Sequence, residues 1–164
     1  MSAEQKLENL LNVSHVYIFI LNKNLQKFIR ICKSEIKEFD LNCGIIGHAF
    51  LRSEPMIVQN GYNSSLYNGN IDIQTHLPLI ALPIYHPFIN GEKIGVLEVI
   101  NPKGLRPTIS NKSNLKVNSS NSSEMEFLGL YCQIIAQNII RVLGLKKSEE
   151  KKYVLDVGIS ILNE

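Results

Sequence analysis

The sequence predicts an α+β sandwich: an antiparallel sheet with the terminal helices on one face and a polar, loop-rich segment with a short helix on the other. Three observations carry this expectation. Apolar, β-branched runs recur at VSHVYIFIL, IALPIYH and KIGVLEVIN, as buried strands require. Both ends carry helical periodicity, in Met1–Asn12 and from Ser122 onward. Between the first and second of these runs lies GYNSSLYNGNIDIQTHLPL, too polar to be core yet pinned between core elements. A polar loop held over a sheet is a common way to enclose a small ligand.

Taken in order, Ala3, Leu7, Leu10 and Leu11 fall on one face of the first helix, with Glu4, Lys6 and Glu8 off it. Val13–Leu21 reads as a buried strand, Asn22-Lys23-Asn24 as a turn, and Leu25–Lys33 as the second arm of a hairpin with one wetter face. Ser34–Cys43 reads as a polar connection. Gly44–Ser53 is a short helix in which Gly44 and Gly47 let the backbone turn and pack closely. Pro55 ends it, because the residue before proline is pushed out of the helical region. Met56–Gln59 is a short strand, and Gly61–Pro78 holds turns or helical pieces. Ile80–His86 and Ile94–Asn101 are strands joined through Asn90-Gly91, a strong hairpin signal. Pro83 lacks a backbone donor, so it belongs at an edge or a bulge.

The stretch 102–123 is rich in Asn, Ser and Lys and poor in large apolar residues, so a mobile insertion is expected. In the last helix Met125, Leu128, Cys132, Ile135, Ile139 and Val142 recur at three and four residues. Phe127, Leu130, Tyr131 and Ile134 add a second apolar flank. Such a helix should bury one side on its sheet and the other on another helix, which predicts a homodimer. The domain is expected to span 1–147, with 148–164 a linker helix toward an effector domain.

The chain has 164 residues, 45% hydrophobic and 20% charged, with a net charge of +2. These values suit one globular domain and give no sign of nucleic-acid or membrane binding. Its three cysteines, Cys32, Cys43 and Cys132, lack CxxC spacing, which argues against a disulfide framework or a zinc site and fits a cytoplasmic setting. Metal binding through His76 or His86 is not expected, because neither has ligands at metal spacing. No cofactor is expected.

The run GIIGHAFLRSEPMIVQNGYNSSLYN resembles the central signature of GAF domains, a short helix after a G-x-x-G turn followed by a strand and an acid-bearing loop. IALPIYHPFINGEKIGVLEVINPKG resembles the hairpin that follows it, with a "PI" strand meeting an "IGVL" strand ending in Asn. The likeness covers about Leu7 to Leu143 and is nearest the cyclic-nucleotide phosphodiesterase and adenylyl-cyclase type. It implies a GAF/PAS-like fold and a non-catalytic, dimeric, small-molecule sensor in a signalling protein. Carried over by position, it implies ligand contacts from the backbone of Ile45 and Ile46, from Tyr67, Asp72 and Thr75 in the polar segment, and from Glu98 on the last strand. In cyclic-nucleotide-binding members an Asn-Lys pair ends that strand and a Phe and an Asp follow. Here Pro102 separates Asn101 from Lys103 and the Phe and Asp are missing, so weak or absent cyclic-nucleotide binding is expected.

Each of these residues also has a plainer reading. Glu98 interrupts an apolar strand on the face expected to be shared by Ile94, Val96 and Ile100, and it either accepts a hydrogen bond from a ligand or faces water on a half-exposed sheet. Asp72 and Thr75 are favoured caps of short helices. His48 either meets an anion or packs the helix. Cys43 precedes the G-x-x-G turn, and one GAF branch reduces methionine sulfoxide through cysteines. That chemistry needs several at set positions and a thiolate-stabilising environment. The remaining reading is a GAF domain without a ligand that serves as a dimerisation or scaffold element.

Overall fold

The computed structural model describes residues 3–32, 35–101 and 122–143. Six strands form one antiparallel sheet: β1 (His15–Asn22), β2 (Lys27–Cys32), β3 (Glu35–Asp40), β4 (Met56–Val58), β5 (Leu79–Tyr85) and β6 (Lys93–Ile100). Their spatial order is β3-β2-β1-β6-β5-β4. Three helices accompany them: α1 (Ala3–Leu11), α2 (Gly44–Arg52) and α3 (Ser122–Leu143). The α+β expectation holds, with a core on each side of the sheet.

On one side, Leu128, Cys132, Ile135, Ala136 and Ile139 of α3 pack on Val16, Ile80, Leu82, Leu97 and Val99, and Leu7 and Leu11 of α1 join them. On the other side, Ile45, Ile46, Ala49 and Phe50 of α2 pack on Phe19, Phe28, Ala81, Val96 and Ile100, together with Ile71 from the polar segment. The alternation of side chains along β5 and β6 sends every second residue to each core. The terminal helices therefore share one face, and α2 with the segment 59–78 covers the other.

Two expectations change. The polar connection Ser34–Cys43 contains strand β3, paired with β2 from Lys27↔Asp40 to Cys32↔Glu35. Its sequence, EIKEFD, is a charged edge strand, and edge strands carry charge instead of an apolar pattern. Ile94 does not share the face of Val96 and Ile100. It packs in the α3-side core, because β6 takes an extra residue opposite the Ile84/Tyr85 step. The segment 59–78 consists of turns and bends, one of the two forms expected for it.

Pro83 lies beside that bulge and beyond the end of β4, which pairs only as far as Ala81. The hairpin turn uses Gly91 at φ +74. The expected insertion, apart from its last two residues, and the linker 148–164 lie outside the described residues.

Candidate functional site

Strand β6 sits at the middle of the sheet, between β1 and β5. Glu98 stands in it opposite Tyr17 of β1 and Ala81 of β5. It shares the α2-side face with Val96 and Ile100. The water-facing reading is overturned: Glu98 has 0% exposure. Neither carboxylate oxygen has a hydrogen-bond partner among the described residues. Burial pushes its pKa up to about 8, the charge of Asp72 adds to the rise, and Arg30 opposes it. A lone carboxylate in an apolar core is strongly disfavoured as the anion, so at neutral pH most of the population carries a proton.

Asp72 is also buried, but its oxygens are engaged. They accept the backbone N–H of Ile45 at 3.1 and 3.2 Å, and one accepts the N–H of Asn68 at 2.7 Å. Residue Cys43 holds the N-cap of α2 without a side-chain cap bond. Asp72 supplies that missing acceptor from the polar segment. The capping reading is thus right in kind, and the helix it caps is α2. Burial raises the Asp72 pKa, against the two backbone hydrogen bonds and the nearby His48.

The close approach explains Gly44. It has φ +69, and a Cβ there would lie 2.6 Å from both Asp72 oxygens. Ile45 and Ile46 are fully buried, and the Ile45 N–H is committed to Asp72. Thr75 closes a local turn, its hydroxyl accepting Leu77 N–H at 3.0 Å and its carbonyl accepting Tyr62 N–H at 2.8 Å. Tyr67 packs edge-on against Tyr62, centroids 5.3 Å apart, and Tyr62 against His76 at 5.4 Å. The structure thus gathers Ile45, Ile46 and Asp72 around the start of α2, beneath which Glu98 lies on the sheet. Tyr67 and Thr75 belong to the covering segment.

An open groove of about 390 Å³ runs along β4, lined among others by Met56, Val58, Asn60, Asn63 and Leu66. It lies two strands from β6, about 10 Å at the usual strand spacing.

Sequence reasoning missed the other side of Glu98. The Arg30 guanidinium lies over the Tyr17 ring, 3.6 Å from its centroid. Its Nε also pairs with Glu4 of α1 at 3.4 Å. Glu4 and Glu8 in turn accept the backbone N–H groups of Ile18 and Val16 at 3.2 and 3.1 Å. The register pairs of β1 with β2 run only from Ile20 to Asn22, so α1 carboxylates serve β1 where β2 has diverged. Only the fold reveals this: Glu4 and Glu8 read as the polar face of an amphipathic helix.

Neither Cys43 nor Cys132 shows a reactive arrangement. Burial pushes the Cys132 thiol up to about 12, and Cys43 is partly exposed with Asn42 Oδ1 at 3.8 Å from its sulfur. Among the described residues no cluster of His, Cys, Asp and Glu could hold a metal ion, and no helix is long and apolar enough to cross a membrane.

No protein-family profile matches the sequence, and no curated protein matches it. Solved structures do match in fold. The GAF domain of a phosphoenolpyruvate-protein phosphotransferase from Coxiella burnetii is similar at a TM-score of 0.57 and 15% identity, over 87% of this chain and 82% of that one. The corresponding GAF domain from Acinetobacter gives 0.56 and 14%, over 85% and 80%. A type II free methionine-R-sulfoxide reductase from Thermoplasma acidophilum gives 0.55 and 16%, over 82% and 85%. The chain has the GAF fold.

Proposed function

We propose that this domain is a regulatory small-molecule sensor that binds its ligand over Glu98 and relays occupancy through its terminal helices. The observation that carries the reading is the orphaned Glu98 carboxylate. A buried polar group without a partner costs about 1–3 kcal/mol, more when charged, and a group of that kind at the centre of a sheet face is suited to a ligand's donors. The contact chain from Glu98 to Tyr17, Arg30 and Glu4 gives α1 a physical connection to the site. On the opposite face, β5 and β6 rest on α3. The domain acts without chemistry of its own, and a reducing, cytoplasmic setting fits the free thiols of Cys43 and Cys132.

Cyclic nucleotides suit the site poorly. They bring a phosphate anion, whereas this face offers the carboxyl groups of Glu98 and Asp72, and its cation, Arg30, is already paired with Glu4. Calorimetric titration with cAMP and cGMP should show no submicromolar binding. Submicromolar affinity for either, abolished by Glu98→Ala, would restore that ligand class.

A second reading has its own observation. Phe127, Leu130 and Ile134 of α3 are 48%, 56% and 51% exposed in the single chain, a stripe suited to a dimer partner. A ligand-free dimerisation module would need only this stripe. A native mass spectrum of freshly purified protein separates the two. A small-molecule adduct on wild type that Glu98→Gln loses supports the sensor. A bare dimer for both proteins supports the scaffold.

A further inference from the structure

We propose that the ligand held at Glu98 is a small organic cation whose planar nitrogen group offers two N–H donors, an amidinium or guanidinium, on an apolar or aromatic body. This rests on the sensor reading and names the ligand's class. The argument starts from what Glu98 lacks. Both oxygens are without a hydrogen-bond donor among the described residues. Two parallel N–H groups would satisfy both at once, in the fork geometry that makes such pairs strong.

Charge selects further. The groups acting on Glu98 are Asp72 from the covering segment and Arg30 from β2. Arg30 is itself committed to Glu4 and to the Tyr17 ring, and Asp72 to two backbone N–H groups. His48 of α2 acts on Asp72. With Glu98 ionised, two carboxylates share this face against one cation that already has an acidic partner. An anionic ligand is repelled there and a cation is attracted.

The neighbours set the ligand's body. Tyr17 and Ala81 flank Glu98 across the strands, Val96 and Ile100 precede and follow it on the same face, and Ile45 roofs the same core. Small Ala81 leaves the least side-chain bulk beside the carboxylate, and the apolar side chains of Val96, Ile100 and Ile45 suit an apolar or aromatic body. Because Glu98 has no exposed surface, entry requires displacement of the covering segment 59–78.

A proton balance follows. At pH 7 the unliganded carboxyl is mostly protonated. Binding a cation favours its carboxylate, so the carboxyl proton passes to the buffer, and net release should approach one proton per site.

The test uses three near-isosteric probes: benzamidine (cationic), benzamide (neutral) and benzoate (anionic). Calorimetry on the full chain at pH 7, in phosphate and in Tris, measures affinity and proton release together. Benzamidine should bind at least ~10-fold tighter than benzamide, a difference of about 1.4 kcal/mol, and Glu98→Gln should reduce that ratio to within ~2-fold. The heat of binding should differ between the buffers by the ionisation heat of the released proton. Equal or tighter binding of benzamide or benzoate overturns the cation proposal and leaves the sensor reading standing. No binding of any probe, while purified wild type carries a Glu98-dependent small-molecule adduct, also overturns only the cation class. No probe binding and no such adduct overturns both.

Discussion

Both carboxylate oxygens of Asp72 accept the backbone N–H of Ile45, at 3.1 and 3.2 Å, so a residue of the polar segment caps a helix that lies earlier in the chain. The same carboxylate accepts the N–H of Asn68. Asp72 thus ties the covering segment to α2. Asp72→Ala should destabilise the domain by about 1–3 kcal/mol, because it leaves buried donors unpaired. Asp72→Asn, which keeps one acceptor, should lose less. Urea unfolding checks the order, and an unchanged midpoint for Asp72→Ala would show that the tie carries no stability.

Gly44 serves the same contact. Its φ of +69 disfavours any side chain, and an added Cβ would meet Asp72 and the Ile71 side chain at 2.6 Å. Gly44→Ala should therefore destabilise by more than ~1 kcal/mol, whereas Gly91→Ala, with open space around its Cβ position, bears only the backbone penalty. Thermal melts of the two variants side by side should rank Gly44→Ala lower. The reverse order would remove the close approach as the reason for this glycine.

The exposed stripe of α3 predicts self-association. The double variant Leu130→Lys, Ile134→Lys should convert a dimer to a monomer. Its melting temperature at low protein concentration should stay within about 2 °C of wild type, since exposed positions rarely shift stability by more than ~0.5 kcal/mol. Analytical ultracentrifugation gives the mass. A wild-type chain that stays monomeric at high concentration contradicts the dimer.

Much of this architecture is legible in the residues. Strands β1, β5 and β6 announce themselves because they are buried and apolar, and α3 because its periodicity is long. β3 is not legible: EIKEFD is an edge strand whose charges mask its pairing with β2. At the site, Glu98 stands out as an acid in an apolar strand, but sequence leaves its two readings open. Only the covering by α2 and the segment 59–78 decides that it is buried. Asp72 is legible as a cap and not as the cap of α2, since that contact spans unrelated turns. Arg30 and Glu4 gain meaning only from the divergence of β2 from β1.

Glu98 should impose a pH dependence on stability. Its folded pKa of about 8 lies above the ordinary value of 4.5. Between these values the folded chain holds a proton that the unfolded chain has released, so stability falls as pH rises. Above about pH 8 both states are ionised and the decline from this group ends. Glu98→Gln removes the titration. Its melting temperature should exceed wild type by a margin that grows from pH 5 to pH 8, with about 2–4 °C for each kcal/mol. Subtracting the two profiles removes the shared contributions of Asp72 and Glu4, whose pKa values burial also raises. A margin constant with pH would mean that Glu98 is not held protonated.

The most direct measurement is the titration of the Glu98 side-chain carboxyl itself, by ¹³C NMR of selectively labelled protein with and without benzamidine. The unliganded group should titrate near 8, and saturating benzamidine should lower its pKa by at least ~2 units, the equivalent of a hundredfold preference of the cation for the ionised carboxyl. An unliganded pKa near the ordinary 4.5 would contradict the account, because it would show a carboxylate already solvated or paired, with nothing left for a ligand to satisfy.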